Sequence, residues 1–278
     1  MSVTIGRNGR RGMNIDTFRK QNEEECMDAL QIDSVNQTDW RLFMAAIPDQ
    51  SVDLVVTDPP YWTLDRWRAV GTTTRLGGHR DPEKRDESMW FPTIQEHDLT
   101  DLLCEVSRVL KADRHAYVFC DHEVLPVILD VTKQQHLWRY VKPLIWDKVN
   151  AGMGYHYRAT YEFIVMLEHG KRRLADLGVQ DVLHYPRVVN GYPTEKPQAL
   201  IDLLVRQSAK AGELVVDPFC GAGGVALAAR AIGAHYIVGD IAERAVAETT
   251  RRLSQVAMPL PERARITEDA PMLAGDAP

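Results

Sequence analysis

A short apolar run that leads into two successive prolines constrains this chain more than any other stretch. Residues 52–56 have the length and the β-branched side chains of a buried parallel strand, and Thr57-Asp58-Pro59-Pro60-Tyr61 follows directly. Asp58 is therefore predicted at the carboxyl end of a strand, where open α/β sheets bind their ligands. The prolines fix φ and donate no main-chain hydrogen bond, so we expect a stiff turn with two free carbonyls.

The residues at this corner, Asp58, Pro59, Pro60 and Tyr61, suit a flat heterocycle that carries an exocyclic amine. A carboxylate and main-chain carbonyls can accept the amine's hydrogens, and an aromatic ring can stack on the heterocycle. The alternative is an ordinary turn after a strand, in which Asp58 caps the turn and Tyr61 is incidental. The rest of the chain is needed to decide between these two interpretations.

A second ligand site is predicted where another short strand runs into a glycine-rich loop. The strand-like stretch 214–219 is followed by Cys220-Gly221-Ala222-Gly223-Gly224. Glycines let the backbone pass close beneath a ligand, and the next helix points its N-terminus at that ligand. Asp240 ends the following predicted strand and is placed to bind a ribose diol. The same spacing also fits the dinucleotide fingerprint, so NAD is an alternative ligand at this stage.

Three stretches together resemble one enzyme family. Asp58-Pro59-Pro60-Tyr61 is similar to the signature of the DNA amino-methyltransferases, which methylate adenine N6 or cytosine N4. Residues 217–224 resemble their S-adenosyl-L-methionine motif, and Thr194-Glu195-Lys196-Pro197 resembles their cofactor turn. The catalytic motif precedes the cofactor motif, as in the circularly permuted beta group of this family. The likeness spans roughly residues 30–256 and favours a methyltransferase over an NAD enzyme.

The resemblance implies a fold and a set of cofactor contacts. The expected fold is α/β, a Rossmann-like methyltransferase fold with a seven-stranded, mostly parallel sheet, one antiparallel strand and a circularly permuted motif order. The implied cofactor is S-adenosyl-L-methionine, with Asp39 at its adenine, Asp240 at its ribose and Phe219 packed against it. The full implied set of cofactor-binding residues is Asp39, Asp58, Lys196, Asp217, Phe219, Gly221, Gly223, Asp240 and Ile241.

The implied reaction is methyl transfer to the amino group of a DNA base. Asp58 and the Pro59 carbonyl would accept the amino hydrogens while Tyr61 stacks on a base flipped out of the duplex. An aspartate at position 58 favours adenine N6, because the cytosine-N4 enzymes more often have serine there. The alternatives are a cytosine-N4 enzyme, methylation of RNA or of a protein amide, and a non-catalytic homologue that binds nucleic acid or cofactor.

Contacts with DNA are predicted from basic and aromatic residues in irregular stretches. Residues 62–97 interleave Arg and Trp and suit a loop that closes on unstacked nucleic acid, or alternatively a solvated insertion with paired charges. The resemblance implies that target recognition lies before the Lys196 turn, where only the short segment 171–191 is available. We therefore expect recognition to be relaxed, shared with the 62–97 loop, or completed by a second subunit of a homodimer. The candidate DNA contacts are Arg66, Arg68, Arg75, Arg80, Tyr155, Arg158, Lys171, Arg172 and Arg173.

Composition limits the class of protein. The formal net charge of −6 gives no overall attraction to nucleic acid, so DNA binding requires a local basic face. The four cysteines are scattered, which argues against a disulfide framework or a zinc site. No apolar stretch is long enough to span a membrane, so we expect a cytoplasmic protein. Because the cysteines are scattered, we also expect no bound metal.

The order of predicted elements divides the chain into three parts. We expect a flexible N-terminal segment over 1–28, a methyltransferase domain over 29–258 and a disordered tail over 259–278. Within the domain, the strand-like stretches 140–146 and 161–167 are joined by a loop without a helix, so they should pair antiparallel. Helices are predicted over 98–110, 123–132, 197–210, 225–232 and 242–256.

Overall fold

The computed structural model describes residues 30–64, 92–150, 157–189, 191–192 and 194–256. The predicted N-terminal segment and C-terminal tail lie outside the described residues, as does most of the predicted 62–97 loop. The described residues form one mixed sheet covered by helices on both faces.

The eight strands of the sheet are β1 (Ser34–Gln37), β2 (Val52–Thr57), β3 (Leu110–Cys120), β4 (Tyr140–Asp147), β5 (Tyr161–His169), β6 (Val182–His184), β7 (Leu214–Asp217) and β8 (His235–Asp240). Their order across the sheet is β1-β8-β7-β2-β3-β5-β4-β6. Strand β5 runs antiparallel to both of its neighbours, and every other pairing is parallel.

The mostly parallel α/β sheet with one antiparallel strand is confirmed, and so is the antiparallel pairing of the two loop-joined strands β4 and β5. The predicted number of seven strands is wrong, because the described sheet also contains β6. This strand has only three residues and pairs in parallel with the end of β4. A stretch so short carries no detectable period of alternating side chains, so its sequence did not predict a strand.

The helices fall where amphipathic or Ala-rich stretches predicted them, with ends shifted by a few residues. The short helix predicted from Asp39 towards Pro48 is confirmed, and it is capped by Asp39, whose carboxylate accepts a hydrogen bond from Arg41 N at 2.8 Å. The helices are α1 (Trp40–Ala45), α2 (Glu96–Val109), α3 (Val124–Gln135), α4 (Gln198–Ser208), α5 (Gly224–Ala231) and α6 (Glu243–Gln255).

Two apolar cores lie on opposite faces of the sheet, and β2 contributes to both. Val52 and Val55 pack with the helices α1 to α3, while Leu54 and Val56 pack with the helices α4 to α6. All six residues of β2 are buried, as expected for a central strand of a parallel sheet that is covered on both faces. Strand β2, which leads to Asp58, is therefore packed on both faces and paired with a strand along each edge.

Strands β2 and β7 are neighbours, and this pairing brings the two predicted motifs together. Leu54 pairs with Val215 and Val55 with Val216, so the two parallel strands end side by side. The segments that follow them carry Asp58 and Phe219. Since the carboxyl ends of parallel strands share one edge of a sheet, both motifs face a common cleft.

Gly239 fixes the distance between helix α1 and strand β8. A Cβ atom at Gly239 would lie 2.6 Å from Cδ2 of Phe43, whose ring is buried in the core. We expect Gly239→Ala to lower the free energy of unfolding by about 1–3 kcal/mol, because the packed ring has no space to move into. Urea denaturation would measure the loss.

Phe43→Leu provides the matched background for that substitution. In a Phe43→Leu protein the added methyl group gains space, so Gly239→Ala should cost clearly less than in the wild-type protein. Equal costs in the two backgrounds would contradict a clash between residues 43 and 239.

Candidate active site

A cavity of about 410 Å³ opens at the carboxyl ends of the parallel strands β2, β7 and β8. The residues of both predicted motifs line it together with the turn that precedes α4. From the predicted site residues the lining contains Asp39, Asp58, Pro59, Pro60, Tyr61, Lys196, Asp217, Phe219, Gly221, Asp240 and Ile241. Gly223 does not line the cavity; it adopts a left-handed conformation (φ +78°) just before α5 and shapes the loop.

The turn after β2 is held by main-chain contacts on one side. The carbonyl of Pro60 accepts a hydrogen bond from Ile94 N at 2.7 Å, and Tyr61 forms an isolated parallel bridge with the same residue. The expectation of two free proline carbonyls is therefore wrong for Pro60. The carbonyl of Pro59 accepts no hydrogen bond from any described residue, so it can still accept one from a ligand.

The ring of Tyr61 lies in the wall of the cavity and is only 4% exposed. It packs edge-on against Trp62, with ring centroids 5.9 Å apart. Its buried hydroxyl has no hydrogen-bond partner among the described residues. The apolar surface of the ring, and not the hydroxyl, is thus the feature that the protein fixes here.

Asp58 belongs to a cluster of four charged side chains from four different segments. Lys196 Nζ, from the turn before α4, donates a hydrogen bond to Asp58 Oδ2 and lies 3.6 Å from Glu162 Oε2 on β5. Glu162 also accepts a hydrogen bond from Lys148, which follows β4. The cluster alternates two acids with two bases, so each charge has an opposite charge beside it.

Burial and charge set the pKa values of this cluster. Burial raises the pKa of Asp58 above its ordinary value, although the attraction of Lys196 opposes the rise. Burial also opposes ionisation of Glu162, but Lys196 and Lys148 outweigh it and lower the pKa of that carboxyl. The pKa of Lys196 is raised, because the two neighbouring carboxylates outweigh the effect of burial on the ammonium.

Two aromatic rings form the floor beneath Lys196. Phe119 on β3 and Trp146 on β4 pack edge to face with centroids 6.4 Å apart, and Lys196 Nζ lies 5.3 Å and 5.9 Å from these centroids. Trp146 is oriented by a hydrogen bond from its Nε1 to the Tyr185 carbonyl at 2.7 Å. These rings give the end of the cavity near Asp58 an apolar, aromatic wall.

The glycine loop and Asp240 form the other end of the cavity. Asp240 accepts hydrogen bonds from Gly221 N at 3.0 Å and from Ala242 N at 2.9 Å, which orient its carboxylate. A Cβ atom at Gly221 would meet only Tyr192 Cε1 within 4 Å, so the space above this glycine is open to a ligand. Burial raises the pKa of Asp240, and main-chain donors oppose the rise.

Phe219 and Asp217 line the cavity between its Asp58 end and its glycine-loop end. Phe219 packs against Trp40 with ring centroids 6.3 Å apart and forms an apolar wall. Asp217 is buried and accepts a hydrogen bond from Phe219 N at 3.0 Å. Burial raises the pKa of Asp217 to about 8, and the charges of Asp240 and Asp58 add to the rise. Asp217 thus stabilises the turn, and burial favours its protonated form.

The turn that carries Lys196 is fixed to helix α6. Glu195 Oε1 pairs with Arg252 Nη1 at 2.8 Å, and its other oxygen accepts a hydrogen bond from Tyr192 N at 3.1 Å. Sequence analysis did not single out Glu162, Lys148 or Arg252. The only signal for the first two is a charged residue at one end of an apolar strand, which by itself does not indicate a site.

The predicted DNA contacts are separated by the structure. Arg66, Arg68, Arg75, Arg80 and Tyr155 lie outside the described residues, and Arg158 is exposed just before β5, at the edge of the sheet that carries the cavity. Lys171, Arg172 and Arg173 instead follow the end of β5, which is the opposite edge, because β5 runs antiparallel.

The partners of Lys171 and Arg172 agree with this placement. Lys171 N donates a hydrogen bond to Asp113 at 2.5 Å, and Arg172 Nη2 pairs with Glu213 at 2.7 Å, next to the start of β7. Arg172 therefore stabilises the distant edge of the sheet. The structure does not bring this basic cluster to the cavity.

Neither a metal site nor a membrane-spanning helix is found in the described part of the chain. There, no group of three or more His, Cys, Asp or Glu side chains is arranged to hold a metal ion. No helix among the same residues is long and apolar enough to cross a membrane.

Comparisons with known proteins agree on one family. Residues 52–251 match the model of a family of N6/N4 methyltransferases described as DNA methylase. Among curated proteins, the chain is 25% identical over 252 residues to the DNA adenine methyltransferase YhdJ of Escherichia coli (strain K12), covering 74% of this chain and 78% of the relative.

Solved structures of similar fold include the M1.HpyAVI–SAM complex and one DNA methyltransferase. The M1.HpyAVI–SAM complex has a TM-score of 0.56 and 17% identity, and the match covers 79% of this chain and 98% of that one. The cytosine-N4-specific PvuII DNA methyltransferase has a TM-score of 0.60 and 15% identity, with 83% and 89% covered. These two structures support the fold.

Proposed function

The chain belongs to the N6/N4 DNA methylase family, and from this premise we propose that it transfers a methyl group from S-adenosyl-L-methionine to the exocyclic N6 of adenine in DNA. One observation carries the proposal: a carboxylate with one oxygen free of described partners, Asp58, shares a cavity with an aromatic, glycine-lined and acidic pocket. The first part suits an amino group, and the second suits a nucleoside.

The residues around the glycine loop fit S-adenosyl-L-methionine. Asp240, held by two main-chain donors, presents a carboxylate suited to a ribose diol, and the open space above Gly221 lets a ligand approach the backbone. Phe219 and Trp40 supply apolar surface for the adenine ring of the cofactor. When bound, the cofactor supplies a methyl group on a sulfonium, and the sulfur keeps the electron pair of the broken carbon–sulfur bond.

Asp58 and Pro59 act on the nitrogen that receives the methyl group. Hydrogen bonds from the amine to Asp58 Oδ1 and to the Pro59 carbonyl draw the nitrogen lone pair out of conjugation with the ring and fix its direction. Asp58 is also placed to take the proton that the nitrogen loses as its new bond to carbon forms. Neither residue needs to form a covalent bond with the base.

Tyr61 and the wall of Phe119 and Trp146 suit the base itself. A base must leave the duplex to reach a site of this depth, which costs a few kcal/mol, and stacking on aromatic side chains recovers part of that cost. The choice of adenine over cytosine rests on Asp58, since the cytosine-N4 enzymes that this chain resembles more often have serine at this position.

Product analysis tests the proposal. The purified protein would be incubated with tritiated S-adenosyl-L-methionine and a panel of double-stranded DNA, single-stranded DNA, RNA and protein acceptors. Nucleosides released from the labelled acceptor would then be identified by mass spectrometry. We expect label in N6-methyldeoxyadenosine; label in N4-methyldeoxycytidine would replace adenine by cytosine.

Two further outcomes would overturn the proposal more completely. Label only in RNA or in protein would exclude DNA as the substrate. Tight binding of S-adenosyl-L-methionine without transfer to any acceptor would instead indicate a non-catalytic homologue. Methylation-aware sequencing of DNA from cells that express the protein would give both base and sequence context, with cells expressing Asp58→Ala as the matched control.

A further inference from the structure

We propose that Lys196 positions the reacting carboxylate of Asp58 instead of contacting the cofactor, and that Glu162 limits how strongly it does so. This inference rests on the proposed function and deepens it, since it names two positioning residues for methyl transfer. It also reassigns Lys196, which the resemblance alone placed among the cofactor-binding residues.

The positive charge of Lys196 is already balanced by two neighbouring carboxylates, so it is not available to a ligand. Its ammonium donates to Asp58 Oδ2 on one side and lies 3.6 Å from Glu162 Oε2 on the other. The side chain is only 12% exposed, and the ammonium lies over the rings of Phe119 and Trp146. Two carboxylates and two rings therefore define its position on every side that the structure describes.

The bond from Lys196 divides the two oxygens of Asp58 between two tasks. Oδ2 is engaged by the ammonium, whereas Oδ1 receives no hydrogen bond from any described residue. The side chain of Asp58 is 33% exposed, and it lines the cavity. Because a carboxylate held at one oxygen cannot rotate freely, Lys196 keeps Oδ1 directed at an incoming amino group.

Glu162 competes with Asp58 for the same ammonium. It accepts hydrogen bonds from Lys148 and attracts Lys196, so part of the positive charge next to Asp58 is neutralised. Its own negative charge also repels that of Asp58. The two neighbours thus act on Asp58 with opposite signs.

The charged and titratable groups that face Asp58 come from every segment around it: Lys196, Glu162, Lys148, Asp217, Tyr61 and Cys120. Burial raises the pKa values of Tyr61, Cys120 and Asp217, which favours the neutral form of each group. The charge balance around Asp58 is therefore decided by Lys196, Lys148 and Glu162.

The test is whether substitutions of Lys196 and of Glu162 shift the pH dependence of methyl transfer in opposite directions. The single-turnover rate with unmethylated DNA would be measured against pH for the wild-type protein, Lys196→Met and Glu162→Gln. The rate requires the carboxylate form of Asp58, so it falls as pH drops through the pKa of that group. Single-turnover conditions isolate the transfer step from product release.

Lys196→Met removes the attraction that opposes burial, so the acid limb of the profile should move to higher pH by about one unit or more. Glu162→Gln removes a repulsion and frees Lys196 and Lys148, so the acid limb should move to lower pH. We also expect Lys196→Met to lower the plateau rate about 100-fold, because Asp58 loses its orientation. Lys196→Arg, which keeps the charge, should recover part of the rate.

Two controls separate positioning from folding and from cofactor binding. Lys133→Met makes the same exchange on the exposed last turn of α3, and it should leave the profile unchanged. The dissociation constant of S-adenosyl-L-methionine, measured by calorimetry, should change less than about threefold in Lys196→Met if the lysine does not bind the cofactor.

The outcomes distinguish this inference from the proposed function. A wild-type protein that methylates no DNA would overturn the proposed function itself. A wild-type protein that is active, with both variants shifting the acid limb in the same direction or not at all, would overturn only the roles of Lys196 and Glu162. If Lys196→Met weakens cofactor binding by as large a factor as it lowers the rate, Lys196 would again be assigned to the cofactor site.

Discussion

Replacing Asp58 by alanine is expected to lower the single-turnover rate of methyl transfer roughly 1,000-fold. The substitution removes the acceptor that directs the amine and the group that takes its proton. Lys196 keeps Glu162 as a partner at 3.6 Å, so its charge is not left unpaired in the site. We therefore expect the fold and the affinity for S-adenosyl-L-methionine to persist.

Asp58→Asn is the matched control for this prediction. The amide keeps the volume of the side chain and one acceptor oxygen but cannot take a proton, so its rate should fall nearly as far as that of the alanine variant. Quenched-flow measurement with tritiated cofactor would give the rates, and calorimetry would give the cofactor affinity. Full activity in Asp58→Ala would remove this residue from the reaction and with it the basis of the proposed function.

The second large effect is expected at Tyr61, where alanine should lower the transfer rate about 100-fold. The ring forms the wall against which the target base would stack, and losing it leaves the base free to move out of line. Because the ring is 4% exposed, its removal also creates a cavity and should destabilise the fold by about 3–5 kcal/mol. Activity must therefore be measured at a temperature at which the variant stays folded.

Tyr61→Phe separates the ring from its hydroxyl. The hydroxyl is buried without a partner among the described residues, so its removal leaves no donor or acceptor unsatisfied. We expect Tyr61→Phe to be at least as stable as the wild-type protein in thermal denaturation and to keep its rate within about tenfold. A phenylalanine variant as slow as the alanine variant would show that the hydroxyl, and not the ring, acts on the base.

The two ligand motifs could be predicted from sequence because each is local. An apolar run followed by Asp58 and two prolines predicts a strand and its stiff end, and the same holds for the strand before Gly221. The antiparallel pair β4 and β5 could be predicted in the same way, since two strands joined by a loop without a helix favour antiparallel pairing. Resemblance to a family then supplied the chemistry of both motifs.

Contacts between distant segments could not be predicted in this way. Glu162, Lys148 and Lys196 gather around Asp58 from three other segments, and nothing in their separate sequences indicates that their charges would balance. The free carbonyl expected at Pro60 is occupied by Ile94, whose approach is likewise a tertiary contact.

The direction of strand β5 explains why residues 171–173 do not lie at the cavity. The basic run at 171–173 looks like a DNA contact in sequence, but β5 runs against its neighbours and carries this run to the edge of the sheet far from the cavity. The amino-acid sequence by itself determined where two strands end in residue types that suit a methyl donor and an amine. Only the tertiary structure decided which charges surround them, because strand order and direction depend on pairing between residues far apart in the chain.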